Sequence, residues 1–82
     1  MTRMALKGAT NLPSRSQEVS ARLLCDIRDF GPVQPKYSHF SKLGDCYYHC
    51  HLGYHWVACW RQMKKGFFVE VYYVGSRESA QY

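Results

Sequence analysis

Apolar residues recur at intervals of three and four over residues 14–30, the spacing of one face of a helix. The apolar positions are Val19, Leu23, Leu24, Ile27 and Phe30. Ser14 or Ser16 is expected to cap the start of this helix, and Gly31-Pro32 to end it, because proline cannot continue a helix. The pattern predicts an amphipathic helix over 14–30. A shorter helix, weakened by Gly8 and Thr10, is predicted over 4–12.

Three later stretches are rich in aromatic and β-branched residues, which is typical of strands. They cover 45–52, 54–63 and 67–74, with Gly53 and Lys64-Lys65-Gly66 as hairpin turns between them. The prolines and serines of residues 31–45 predict an ordered loop. The chain is therefore predicted to be a single α+β domain over 1–82. One or two N-terminal helices would pack on a three- to four-stranded antiparallel sheet.

Alternation along the first of these strands separates two faces, since successive side chains point to opposite sides. The even positions, from Cys46 to Leu52, are apolar and should face the core, whereas His49 and His51 point the other way. A three-residue loop over 52–54 would add His55 to their face, and a two-residue loop over 53–54 would turn it to the core. The three-residue loop is favoured because it gathers three histidines and keeps a polar ring out of the core.

The core itself is expected to draw on aromatic residues that follow the first strand. Tyr54, Trp56 and Trp60 are predicted to pack against the helix. These rings would supply much of the apolar area that a small sheet must bury.

Composition and charge narrow the classes of function. The 82 residues (9.6 kDa) carry 11 Lys and Arg against 6 Asp and Glu, a net charge of +5, with pI near 9.2 and mean hydropathy −0.42. No apolar run approaches the roughly 20 residues needed to span a bilayer, and residues 1–7 do not form a secretory signal. A cytoplasmic protein with reduced cysteines and no membrane partner is expected. The charge suits an acidic partner, such as nucleic acid or an acidic protein, but also serves plain solubility.

Three histidines on an open sheet face could support two kinds of chemistry. One is proton transfer near neutral pH, and the other is zinc binding. The His-x-His pattern alone is a weak metal signal, so no metal and no small-molecule cofactor are expected. Arg61 and Arg77 could hold a phosphate, and the Tyr82 hydroxyl could donate a proton or its ring could stack on a base. Ordinary surface residues of a sheet are the plain alternative.

A series of short motifs runs in order along most of the chain after about residue 4. They are Leu12-Pro13, Ser41-Lys42-Leu43-Gly44, Tyr48-His49-Cys50-His51-Leu52, Gly53-Tyr54-His55-Trp56-Val57, and Tyr72-Tyr73-Val74-Gly75-Ser76-Arg77-Glu78 with closing Tyr82. Their order and spacing resemble the RelE/ParE superfamily of bacterial toxin–antitoxin toxins, with RelE the closest type. The resemblance implies helices on one sheet face, ribosome-dependent mRNA cleavage and neutralisation by a small cognate antitoxin protein.

The residues of this chain match the RelE pattern only in part. His49 and His51 stand where lysines are usual, and His55 stands where the next strand usually supplies an arginine. Arg77 and Tyr82 match the C-terminal arginine and tyrosine at a slightly shorter spacing. Family members also commonly begin with a strand before the first helix, for which residues 1–3 are too short.

The resemblance, with these departures, implies a metal-independent endoribonuclease that inhibits translation. A base would deprotonate the ribose 2′-OH for attack on the adjacent phosphorus, and an acid would protonate the leaving 5′-oxygen. The candidate bases are His49 and His51, and the candidate acids are His55 and Tyr82. Arg77 would hold the phosphate, and Arg61 and Lys42 would contact the RNA. The alternatives are a ParE-like protein-binding toxin, an inactive remnant that binds an antitoxin, and, third, a zinc protein.

Overall fold

The amphipathic stretch over 14–30 forms a helix with those same bounds. The structure is a computed structural model that describes residues 1–63 and 68–80. Its elements are α1 (Arg3–Thr10), α2 (Ser14–Phe30), β1 (Ser41–Gly44), β2 (Tyr47–His51), β3 (Trp56–Gln62) and β4 (Val69–Ser76). The two N-terminal helices pack against a four-stranded antiparallel sheet of order β1-β2-β3-β4, which confirms the predicted α+β fold. No helix in the described ranges is long and apolar enough to cross a membrane.

The two ends of α2 differ in how they are capped. Gly31 ends the helix as predicted, with φ 91° and its N–H donating to the Ile27 carbonyl at 2.8 Å. The predicted serine cap is wrong, because Pro13 occupies the capping position and no side chain caps the helix. Ser16 is instead buried inside the helix, where it faces Gly53.

The helix α1 lies along β4, one of the two edge strands of the sheet. The Thr2 side chain accepts from the Ala5 N–H at 3.1 Å, and the Thr2 backbone N–H donates to the Val71 carbonyl at 2.9 Å. Gly8 passes so close to β4 that an added Cβ would overlap the Val74 carbonyl oxygen. In the described residues no strand precedes α1, and the start of the chain covers an otherwise open sheet edge.

The sheet departs from the sequence prediction at its two outer strands. The predicted loop over 31–45 is wrong at its end, because β1 forms there and pairs with β2, Ser41 opposite His49. All four β1 residues are exposed, so the strand depends on its partner and has little apolar pattern of its own. Strand β4 runs two residues beyond its predicted end at Val74, whereas the predicted turn Lys64-Lys65-Gly66 and Phe67 lie outside the described residues.

The core forms between the helices and one face of the sheet. Tyr48, Cys50 and Leu52 lie in it, as the alternation predicts, and Trp60 is fully buried with its indole N–H donating to the Pro32 carbonyl at 2.9 Å. Trp56 and Trp60 pack as expected. Tyr54 does not, because it lies in a turn with 78% of its surface exposed. All four cysteines are free thiols.

Candidate functional site

The turn between β2 and β3 decides where His55 lies. The Leu52 N–H donates to the Trp56 carbonyl at 2.8 Å, and His51 pairs with Val57. The loop is therefore Gly53-Tyr54-His55, one residue later than the favoured prediction, and both predicted registers are wrong. His55 lies in the turn itself, outside the ladder. Its side chain is 56% exposed, with Nδ1 3.8 Å from a Glu78 carboxylate oxygen.

A different residue, His39, joins His49 and His51. We call these three residues the histidine cluster. The His39 ring stacks on His51 with centroids 4.4 Å apart and planes 23° apart, and His51 meets His49 edge-to-face at 5.8 Å. The His51 N–H donates to the Ser38 carbonyl at 2.8 Å, which holds the loop before β1 against the end of β2. Sequence reasoning missed His39 because a loop has no periodicity that assigns its side chains to a face.

The sheet face that carries the cluster is itself largely buried at its centre. Val57 and Cys59 are at most 2% exposed there, and His49 is 7% exposed. Burial lowers the pKa of His49, as does the charge of His39, while a backbone hydrogen bond with Ser41 acts in the opposite direction. His49 is therefore held as a neutral ring beneath the surface.

His51 lies nearer to solvent than His49 and is half-buried. Burial is the largest cause that lowers its pKa, followed by the charges of His39, His49 and Arg77. A neutral imidazole at neutral pH can accept a proton, so His51 has the protonation state that a general base requires.

Arg77 lies at the same end of the sheet. Its backbone N–H donates to the His55 carbonyl at 2.7 Å, and its guanidinium carbon lies 5.9 Å from the centre of the Tyr54 ring. The side chain is exposed, and its charge acts on His51. The structure thus brings Arg77 into the neighbourhood of the histidine cluster, where a planar guanidinium could bind a phosphate.

The two predicted RNA-contacting cations lie elsewhere. Arg61 pairs with Tyr47 at the opposite end of β2, roughly 13 Å along the strand from His51 at the usual rise per residue. Its guanidinium binds the Glu70 carboxylate at 2.9 and 3.1 Å, so its charge is balanced. Lys42 is exposed on β1, and Tyr82 lies outside the described residues.

A groove of about 370 Å³ opens beside the cluster, between α2 and the loop before β1. Arg22, Lys36, Ser38 and His51 are among the residues that line it. Lys36 is paired with Asp26 at 3.1 Å, and the Tyr37 hydroxyl also donates to that carboxylate; these two hydrogen bonds hold the pKa of Asp26 below its usual value. The charge of Lys36 is therefore balanced by Asp26, and Arg22 is the cation that α2 brings to the groove.

Among residues 1–63 and 68–80, no three or more His, Cys, Asp or Glu side chains are arranged to hold a metal ion. The cluster instead combines a neutral ring, a second imidazole stacked on it and a nearby guanidinium. These groups can take up a proton, supply one and hold an anion.

Acidification below about pH 6.5 is expected to destabilise the fold through His49 and His51. Burial lowers both pKa values in the folded state, so the unfolded chain takes up protons first as the pH falls. The stabilisation from these two rings is then fully present above the pKa of an unfolded histidine, near 6.5. It is lost as the pH falls toward the lower pKa values of the folded state. The loss is at most about 1.4 kcal/mol per pH unit for each proton. Urea unfolding at pH 7.5 and pH 5, followed by tryptophan fluorescence, measures it.

His49→Gln and His55→Gln provide the matched comparison for this effect. The first removes a buried imidazole and should flatten the pH dependence, whereas the second removes an exposed one and controls for the loss of an imidazole as such. Asp26 does not interfere, because a carboxylate with a lowered pKa loses its stabilising effect only below about 3.8. If the free energy of unfolding changes equally with pH in both variants, the pH effect does not come from His49.

Comparison with known proteins gives no match: no family model, no curated protein and no solved structure matches the chain.

Proposed function

We propose that the protein is a RelE-like toxin that cleaves mRNA on the ribosome in the cytoplasm and so inhibits translation. The single observation that carries this proposal is the stacking of His51 on His39, at the end of the sheet where β4 leads into Arg77. Cleavage of RNA through its own 2′-OH needs a proton acceptor, a proton donor and a group that stabilises charge on the phosphate. Those three kinds of group occur together at this end of the sheet.

The reaction begins with His51 as general base. His51 takes the proton of a ribose 2′-OH, and the oxygen attacks the adjacent phosphorus. The bond to the 5′-oxygen breaks, and that oxygen keeps the electron pair and takes a proton from a general acid. One product then ends in a 2′,3′-cyclic phosphate and the other in a 5′-hydroxyl. His51 is preferred over His49 because the latter ring is only 7% exposed and has little access to a substrate. Arg77 holds the non-bridging phosphate oxygens.

The net charge of +5 supports binding to RNA and to an acidic antitoxin. Lys42 is exposed on the edge strand β1 and is free to approach a phosphate backbone. Arg61 is a weaker candidate, because a phosphate would have to compete with Glu70 for its guanidinium. A cognate antitoxin protein would neutralise the toxin by covering the histidine cluster or blocking access to it.

The test uses translating ribosomes, an mRNA and the purified protein. We expect cleavage that leaves a 2′,3′-cyclic phosphate. The same mRNA with one 2′-deoxynucleotide at the mapped site should stay intact there, because it lacks the attacking hydroxyl. A zinc-specific chelator should have no effect. Cleavage at the deoxynucleotide would disprove the mechanism, and loss of activity with the chelator would favour the zinc alternative.

A protein-binding toxin of the ParE type is the second candidate. It is favoured by exposed apolar side chains on α1, where Met4 and Leu6 are 80% and 55% exposed. This function predicts growth inhibition with intact mRNA, and inhibition that persists when His39, His49 and His51 are all replaced. An inactive remnant would inhibit nothing.

A further inference from the structure

His39 is held in a conformation that few residues adopt. Its φ is 54°, in the left-handed region where histidine, asparagine and aspartate are several-fold enriched among non-glycine residues. The neighbouring serines secure it: the Ser41 hydroxyl donates to the His39 carbonyl at 3.4 Å, and Ser38 Oγ lies 2.9 Å from His39 Nδ1. These contacts fix the ring against His51 and leave Nε2 as the nitrogen for proton exchange.

The stack places two ring edges side by side. With centroids 4.4 Å apart and nearly parallel planes, His39 and His51 can both reach one phosphate group. An in-line displacement at phosphorus has its attacking and leaving oxygens on opposite sides of that atom. Two adjacent imidazoles could therefore serve one oxygen each.

The surrounding charges disfavour two protons on this pair. His39 from the loop, His49 from β2 and Arg77 after β4 all act on His51 through their charges. Arg22 and Lys36 line the groove beside it, but Lys36 is paired with Asp26. A second proton on the pair would add to this repulsion. His39 is exposed and His51 half-buried, so His39 is the ring of the pair with the more open access to water.

We propose that His39 is the general acid of the cleavage reaction, with His51 as the base; this rests on the proposed function. As the 2′-oxygen bonds to phosphorus, His51 takes the 2′-OH proton. The bond to the 5′-oxygen breaks, its electron pair stays on that oxygen, and the oxygen takes the proton from His39 Nε2. The pair ends with the proton on His51 instead of His39, and exchange with water restores the starting state. His39 takes the role that the sequence assigned to His55 or Tyr82.

The test compares two mRNAs that differ by one atom at the mapped cleavage site. One has the ordinary linkage, and the other has sulfur in place of the leaving 5′-oxygen, which departs without a proton. The variant is His39→Asn, because asparagine tolerates the left-handed backbone but is no acid. We expect it to cleave the ordinary linkage about 10²–10⁴-fold more slowly than the wild type, and the sulfur linkage within a few-fold of the wild-type rate.

Two further variants complete the comparison. His51→Ala should be slow on both linkages, since the base is needed in each case. Gln62→Ala, exposed at the far end of β3, should match the wild type on both. His39→Asn at wild-type rate on the ordinary linkage, or equally slow on both linkages, overturns the role of His39 while leaving the nuclease function standing. A wild type that cleaves neither mRNA overturns the proposed function itself.

Discussion

Replacement of His51 by alanine is expected to slow mRNA cleavage by a factor of about 10²–10⁴, the usual contribution of a general base. The variant keeps the sheet but removes the half-buried neutral ring that stacks on His39. Single-turnover cleavage on programmed ribosomes, with the protein in excess, measures the chemical step without product release. A wild-type rate in His51→Ala would exclude this ring as the base.

His49→Gln separates catalysis by His51 from general disturbance of the cluster. His49 is 7% exposed and lies against the His51 ring at 5.8 Å, so its loss should slow cleavage less than the loss of His51 does. Free imidazole added to His51→Ala should restore part of the rate, because the missing ring leaves space for a small base. If His49→Gln is the slower of the two variants and imidazole rescues neither, the base is wrongly assigned.

The parts of the fold that could be predicted are those in which local periodicity and tertiary packing agree. In α2, Leu23 and Ile27 of the predicted apolar stripe are both buried at helical spacing, and Gly31 ends the helix as expected. The alternation over 46–52 gave the correct faces of β2, with Tyr48 and Cys50 in the core. The patterns fail at single residues: Phe30, predicted in the apolar stripe, is 77% exposed, and His49, predicted on an open face, is only 7% exposed.

The site was harder to predict because contacts between distant segments of the chain decide which residues come together in it. The loop after β2 has the favoured length of three residues but starts one residue later, and that shift removes His55 from the face. His39 enters through the hydrogen bond of Ser38 with β2 and a left-handed backbone, neither of which leaves a sequence pattern. The ion pair of Arg61 depends on the position of Glu70 opposite it, which lies beyond a register shift in the pairing of β3 with β4.

The Gly8→Ala substitution is expected to destabilise the fold by about 3 kcal/mol, a large core overpacking effect. In an exposed helix the same change would stabilise by about 1 kcal/mol, since alanine is the better helix former. Here the added Cβ overlaps the Val74 carbonyl oxygen and lies 2.8 Å from its carbon. Both atoms belong to the backbone of β4, so no side chain can move aside. Urea unfolding measures the change in the free energy of unfolding.

Gly44→Ala is the matched control for Gly8→Ala. An added Cβ there meets only the Tyr47 ring, at 3.6 Å, an ordinary contact, so stability should change by less than about 0.5 kcal/mol. Relief of the Gly8→Ala overlap would require α1 to move away from β4 and would strain the hydrogen bond from Thr2 to Val71. Because β4 leads directly into Arg77, the same movement should weaken RNA cleavage in the fraction that stays folded. An increase in stability, in contrast, would show that α1 does not lie against β4 at this distance.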